Sequence, residues 1–175
     1  MAGTRLSISV KAAVLGALAF LLMRLELPIV PGYPFLKYDP SNLPAIVAAF
    51  LLGLPAGLAV IAVRTTLFAL FFGDPVGATM GGAASALFVV PAALVYRSRH
   101  HFRGGMAALA IGTFATALGM IPVNYAVISL IPYLPNGGIP FYCLTVVPAF
   151  NLARGALDSA LTLVVYKRAS HLLRG

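Results

Sequence analysis

The chain reads as an all-α integral membrane protein: one domain over residues 1–175, six transmembrane helices, and both termini cytoplasmic. Three observations predict this. Hydrophobic residues make up 61% of the sequence and charged residues 9%, with a mean hydropathy of +0.97. A soluble domain carries about 25% charged residues, so too little polar surface is present to cover a soluble fold. Apolar runs, several near the roughly 20 residues that a spanning helix needs, fill almost the whole chain. They lack the alternation of a membrane barrel, and backbone groups in lipid must bond internally, which leaves helices.

The first apolar segment is expected from Ile8 to Leu25. Arg5 and Lys11 before it, with Ala17-Leu18-Ala19 inside it, imitate a signal peptide. The run continues through Met23, so a retained helix is expected. A short second segment covers Asn42 to Leu52 and ends at Gly53-Leu54-Pro55-Ala56-Gly57, where proline lacks a donor and glycine accepts turn geometry. The third covers Ala56 to Phe72, and Gly73-Asp74-Pro75-Val76-Gly77 forms the next turn. The fourth covers Thr79 to Tyr96 and the fifth Met106 to Ile131. A loop rich in proline and glycine follows, from Pro132 to Pro140, and the sixth segment covers Leu144 to Leu173.

Orientation follows from the basic residues. Arg5 and Lys11, then Arg97, Arg99 and Arg103, then Lys167, Arg168 and Arg174 form three groups. With six spans all three fall on one side, and cytoplasmic loops collect Lys and Arg. The net charge of +8 is then topological. A nucleic-acid partner is excluded, because that needs a basic face on a soluble module. The opposite loops hold Arg24, Glu26, Lys37, Asp39 and Asp74, so the polar segment from Leu36 to Pro44 lies on the outer face.

Few polar residues remain inside the spans. Asn151, Arg154 and Asp158, at spacings of three and four, share one face of the sixth helix. A charge at mid-bilayer costs about 2.5–3.5 kcal/mol. Two readings stand side by side: Arg154 and Asp158 neutralise each other, or Arg154 presents donors to a ligand. Asn124 and Tyr125 follow Pro122 in the fifth segment; the Asn either bonds a neighbouring helix or meets a ligand. Asp74 suits a turn before Pro75, and Lys37 and Asp39 suit solvated loop charges. Arg64 is expected to snorkel to the cytoplasmic interface. Ala13 and Ala17 form a small-xxx-small pair beside Gly16, which permits close approach of another helix.

Enzyme chemistry finds no support. His100, His101 and His171 lie among basic residues outside the spans, and Cys143 is alone. Metal sites and hydrolytic dyads need clustered ligands or bases, so no metal or cofactor is expected. No Walker A pattern is present, which predicts no ATP hydrolysis by this chain.

The same residues carry a family resemblance. Ala13-Val14-Leu15-Gly16-Ala17-Leu18-Ala19-Phe20 resembles the first helix of the substrate-binding S components of energy-coupling factor (ECF) vitamin transporters, of the riboflavin-specific family above all. Asp39-Pro40-Ser41-Asn42-Leu43-Pro44-Ala45 resembles its Asp-x-Ser-Asp-x-Pro-Ala segment. Gly73-Asp74-Pro75-Val76-Gly77 is similar to its loop after helix three. Asn124-Tyr125, with Pro132-Tyr133, resembles its Asn-Tyr-Phe helix-five motif and the Pro-aromatic end of that motif. Phe150-Asn151-Leu152-Ala153-Arg154-Gly155 resembles Phe-Asn-x-x-Lys-Gly in helix six, and Tyr166-Lys167-Arg168 its basic end. Arg154 stands in place of the family's usual Lys and Asn42 in place of its usual Asp. Arg64-Thr65 stands where members often show Lys-Asn.

The resemblance implies a prokaryotic cell-membrane protein that captures riboflavin on the outer face. It implies partners as well: a transmembrane coupling subunit and two cytoplasmic ATPase subunits. Ligand contacts carry over to Asp74, Asn124, Asn151 and Arg154, and the coupling-subunit contact to Ala13 and Ala17. Amide side chains suit the isoalloxazine edge, and Asp with a basic residue suits the ribityl hydroxyls. Tyr38 and Asp39 in the polar segment, with Tyr125 and Phe150, add candidate contacts, the aromatics by packing on the ring. The alternatives are an S component for another vitamin or flavin analogue, and a scaffold protein in which Asn124 and Arg154 only join helices.

Overall fold

The computed structural model describes residues 2–130 and 138–172, with side-chain environments between 8 and 165. The helices are α1 (Ala2–Leu22), α2 (Leu43–Leu51), α3 (Leu54–Phe72), α4 (Pro75–Ser98), α5 (Phe102–Leu130), α6 (Gly138–Phe141) and α7 (Val147–Leu172). A π-helical turn, Tyr142–Val146, joins α6 to α7. Among the described residues α3, α4 and α5 are long and apolar enough to cross a bilayer. The expected loop from Pro132 to Pro140 and the Pro132-Tyr133 motif fall largely outside the described residues, as do the side chains of Lys167 and Arg168.

α2 has nine residues, which gives about 13 Å of helix against a hydrocarbon core of about 30 Å. It covers less than half a span. Ser41, just before it, accepts from Arg64 at the middle of α3. The start of α2 therefore lies deep in the bundle, level with the centre of α3.

The chain reaches that depth through a hairpin that the all-helical expectation did not include. Leu27–Pro28 (β1) pairs antiparallel with Lys37–Tyr38 (β2), Leu27 opposite Tyr38. Pro28, Pro31 and Pro34 with Gly32 exclude helix here, since proline withholds a donor and Gly32 takes a positive φ of 81°. Tyr33, in the connection, is buried against Tyr142 with ring centroids 5.4 Å apart. An exposed Lys37–Glu26 ion pair clips the strands.

The turns follow the expected chemistry. Gly73 ends α3 in the left-handed conformation, φ 64°, where a side chain would be strained. Asp74 then caps α4, its Oδ1 accepting from Gly77 N at 2.7 Å. Pro148 explains the π turn before α7. It donates no bond and crowds the carbonyl four residues back, which belongs to Leu144 within the turn.

Small residues set the helix spacing. A Cβ on Gly16 of α1 would meet Val63 of α3 at 2.7 Å, and one on Gly57 of α3 would meet Ala49 of α2 at 2.6 Å. On Gly155 of α7 it would meet Thr113 of α5 at 2.7 Å. Glycine alone permits these approaches. The buried apolar residues form two clusters. One gathers Ala12, Ala45, Ile46, Val60, Phe88 and Leu109; the other gathers Tyr33, Ala84, Met120, Tyr142 and Val147.

Candidate functional site

Several of the buried polar residues, Asn42, Thr116, Asn151 and Asp158, line one cleft between these clusters. Asn42, Ala84, Phe88, Thr116, Asn151, Arg154, Gly155 and Asp158 line this narrow cleft of about 10 Å³. Ala84 belongs to one cluster and Phe88 to the other. α7 supplies three polar groups from one face, as the spacing predicts, Asn42 just before α2 supplies a fourth and Thr116 of α5 a fifth.

Asp158 is the centre of the arrangement, only 1% exposed. Asn42 Nδ2 donates to its Oδ2 at 3.0 Å, and Tyr38 Oη donates to its Oδ1 at 3.3 Å. The hairpin and α2 thus satisfy both carboxylate oxygens, and no ion pair forms with Arg154. Of the two readings left open for that pair, mutual neutralisation by contact is not realised. Arg154 makes no hydrogen bond within the described residues, which leaves a fork of five donors at the cleft. Burial, and next the Asp158 charge, hold the Tyr38 hydroxyl above its ordinary pKa, so Tyr38 stays a donor at every physiological pH.

Arg64 corrects an expectation. It was placed at the interface, yet it is the largest fully buried side chain in the described chain, at 1% exposure. Its guanidinium donates to Ser41 Oγ at 2.8 Å, Ser85 Oγ at 2.7 Å and the Gly81 carbonyl at 3.4 Å. Two serines on different elements offer acceptors at mid-helix, so the side chain has no need to reach for the interface. Neither serine was singled out by the sequence.

Three buried polar atoms have no partner: Asn42 Oδ1, Asn151 Oδ1 and Arg64 Nε. The two amide orientations are fixed by what their nitrogens meet. Asn42 Nδ2 faces a carboxylate, and Asn151 Nδ2 donates to the Val147 carbonyl at 2.9 Å. Both carbonyl oxygens are therefore unsatisfied acceptors on residues that line the cleft. Leaving such a group unpaired costs about 1–3 kcal/mol, a cost that marks a site more often than a packing error.

The other candidates lie elsewhere. Asn124 is buried and donates to the Met120 carbonyl at 2.8 Å, while its Oδ1 accepts from Tyr142 Oη at 3.4 Å. It belongs with the Tyr33–Tyr142 cluster and does not line the cleft. Tyr125 is 55% exposed. Asp39 caps the 3-10 turn before α2 by accepting from Ser41 N at 2.9 Å, and Asp74 is the exposed α4 cap. Phe150 is buried beside Asn151. Ala13 and Ala17 are exposed on α1, while Gly16 between them turns to Val63. Asn42 is a contributor that the sequence reading noted only as a departure from the family's usual Asp and did not place among the candidate ligand contacts.

Residues 8–166 match the family model of the ECF transporter, substrate-specific component. The chain belongs to this family. Two relatives are riboflavin transporters by name. FmnP of Bacillus subtilis (strain 168) is 36% identical over 124 residues, which cover 68% of this chain and 65% of that protein, just under two thirds of its length. RibU of Staphylococcus aureus (strain TCH60) is 28% identical over 174 residues, covering 93% of this chain and 89% of the relative. A solved S component of a bacterial ECF transporter has the same fold. Its TM-score is 0.83 at 27% identity, over 98% of this chain and 99% of that one. The chain is a membrane protein, and its relatives are transporter components.

Proposed function

We propose that this chain is the riboflavin-binding subunit of an ECF-type importer. It captures the vitamin on the outer face of the cell membrane and passes it inward through a coupling subunit and two ATPase subunits. The chain contributes six spans with both ends cytoplasmic, and the short α2 forms the second with the hairpin above it. The names of the relatives support the vitamin. The single observation that carries the reading is the cleft itself. Residues that line one space carry two unsatisfied amide oxygens and a guanidinium with no hydrogen bond among the described residues, a set that suits a flat heterocycle with alternating donors and acceptors.

The cleft encloses only about 10 Å³, room for about one water, against the roughly 300–1,000 Å³ of small-molecule sites. Binding therefore requires the walls to part. Asn124, Tyr125, Asp39 and Asp74 contribute on this reading only if they close on the ligand from above. Ala13 and Ala17 form the coupling-subunit face.

The test is purification of the chain followed by visible absorption and flavin fluorescence. A yellow preparation with quenched fluorescence that recovers on denaturation is expected. A colourless preparation that fails to quench added riboflavin would overturn the reading.

A further inference from the structure

We infer that Asn42 is an additional ligand-reading residue of this cleft. Its Oδ1 accepts an N–H or O–H of the bound molecule, and Asp158 and Arg64 hold it in that pose. The flavin reading above supplies the probe molecules, and the inference rests on it to that extent.

Four observations carry the assignment. Asn42 is 2% exposed and its Oδ1 has no partner. The residue lines the cleft together with Asn151 and Arg154. Its Nδ2 is engaged by Asp158 Oδ2 at 3.0 Å, and an ionised carboxylate only accepts, so the amide cannot turn its oxygen away. Its chain neighbour Ser41 is gripped by Arg64 at 2.8 Å, and Arg64 is itself moored to Ser85 and the Gly81 carbonyl on α4. The amide is thus fixed from α7 through its side chain and from α3 and α4 through its backbone. A polar group held from two sides with one acceptor left open is preorganised for a donor.

Asn42 and Asn151 present like groups from different elements, α7 and the turn before α2. A molecule that meets both has to offer two donors and insert between them. Arg154 offers the opposite polarity to acceptors in the same space. The cleft therefore reads a donor–acceptor pattern rather than net charge, and Asn42 supplies the part of that pattern contributed by the turn before α2. Arg64 touches no ligand in this scheme. It is a positioning residue that acts through Ser41.

The experiment measures dissociation constants for riboflavin and for lumiflavin, which lacks the ribityl chain, by fluorescence quenching in nanodiscs. The proteins are the wild type, Asn42→Leu, Arg64→Met and the double variant, each with its unliganded thermal midpoint. Asn42→Leu is expected to weaken riboflavin binding about ten-fold, the loss of one well-placed hydrogen bond. An equal loss for lumiflavin assigns the ring N–H, and a loss confined to riboflavin assigns a ribityl hydroxyl. Arg64→Met is expected to weaken binding in the wild type but not in the Asn42→Leu background. A purely structural role would lower the midpoint in both backgrounds and leave the two affinity losses multiplicative. Should Asn42→Leu not fold, Asn42→Ser keeps a donor for Asp158 while removing the amide oxygen, and the same loss is expected. Affinities within two-fold of the wild type for both flavins overturn the inference and leave the flavin reading intact. A wild type that binds neither flavin overturns both.

Discussion

Asn42 and Asp158, separated by 116 positions in sequence, meet through a 3.0 Å hydrogen bond that ties the start of α2 to the middle of α7. Tyr38 completes the carboxylate from the hairpin. A buried acid is thereby satisfied by two neutral donors, both from the segment that leads into α2. Replacing Asp158 with Ala leaves both donors unpaired and should cost about 1–3 kcal/mol. Asp158→Asn, which keeps one acceptor, should cost less. Thermal unfolding in detergent measures both, and an unchanged midpoint for Asp158→Ala would refute this role.

Arg154 presents the opposite case. It makes no hydrogen bond within the described residues, so Arg154→Ala should barely move the unliganded midpoint. Riboflavin affinity should fall roughly ten-fold or more, as for a hydrogen bond to a charged group. Equal losses of stability and affinity would show that the guanidinium is structural.

Tyr38 gives a pH signature. Burial first, and then the Asp158 charge, raise its pKa above the ordinary value. Folding thus favours the protonated phenol. Its contribution is complete below about pH 10, the ordinary tyrosine value, and is lost as pH rises through the higher folded value. The wild type should therefore lose stability above pH 10 more steeply than Tyr38→Phe. Parallel alkaline profiles of the two would argue against the coupling.

Gly57 tests the packing. A Cβ there would lie 2.6 Å from Ala49 Cβ and 2.9 Å from the Ala45 carbonyl. Gly57→Ala should force α2 from α3 and cost about 1–3 kcal/mol, the range for overpacking, read as a lower thermal midpoint.

Ala13 and Ala17 should behave in reverse. Both are exposed on α1, so Ala13→Leu with Ala17→Leu should leave folding and flavin binding within error. Uptake in cells carrying the whole transporter should be abolished if the coupling subunit docks there. Normal uptake by the double variant would remove that face from consideration.

The legible part of this molecule was whatever one segment decides alone. The Gly73-Asp74-Pro75 turn, the shared face of Asn151, Arg154 and Asp158, and the exposed pair on α1 all depend on local chemistry or helical spacing. The illegible part depends on which distant groups meet. Arg64 looked like an interface residue because nothing in its own helix compensates it; Ser41 and Ser85 do so from elsewhere. Pairing of Asp158 with Arg154, one turn apart, was one of two open readings, whereas the donors that satisfy Asp158 came from more than a hundred positions away. Burial of a polar side chain is decided by partners, and partners on other elements leave no periodic trace.

The π turn at Tyr142–Val146 bears on chain length. Each residue in an α-helix advances the phase by about 100°, so deleting one residue between Val147 and Asn151 would swing Arg154 and Asp158 out of the bundle. Deleting one within the wide turn would only restore ordinary helix and leave everything downstream aimed as before. At this point the number of residues and the direction of the binding face are uncoupled. A one-residue deletion in that turn that spares Tyr142 is expected to keep the site.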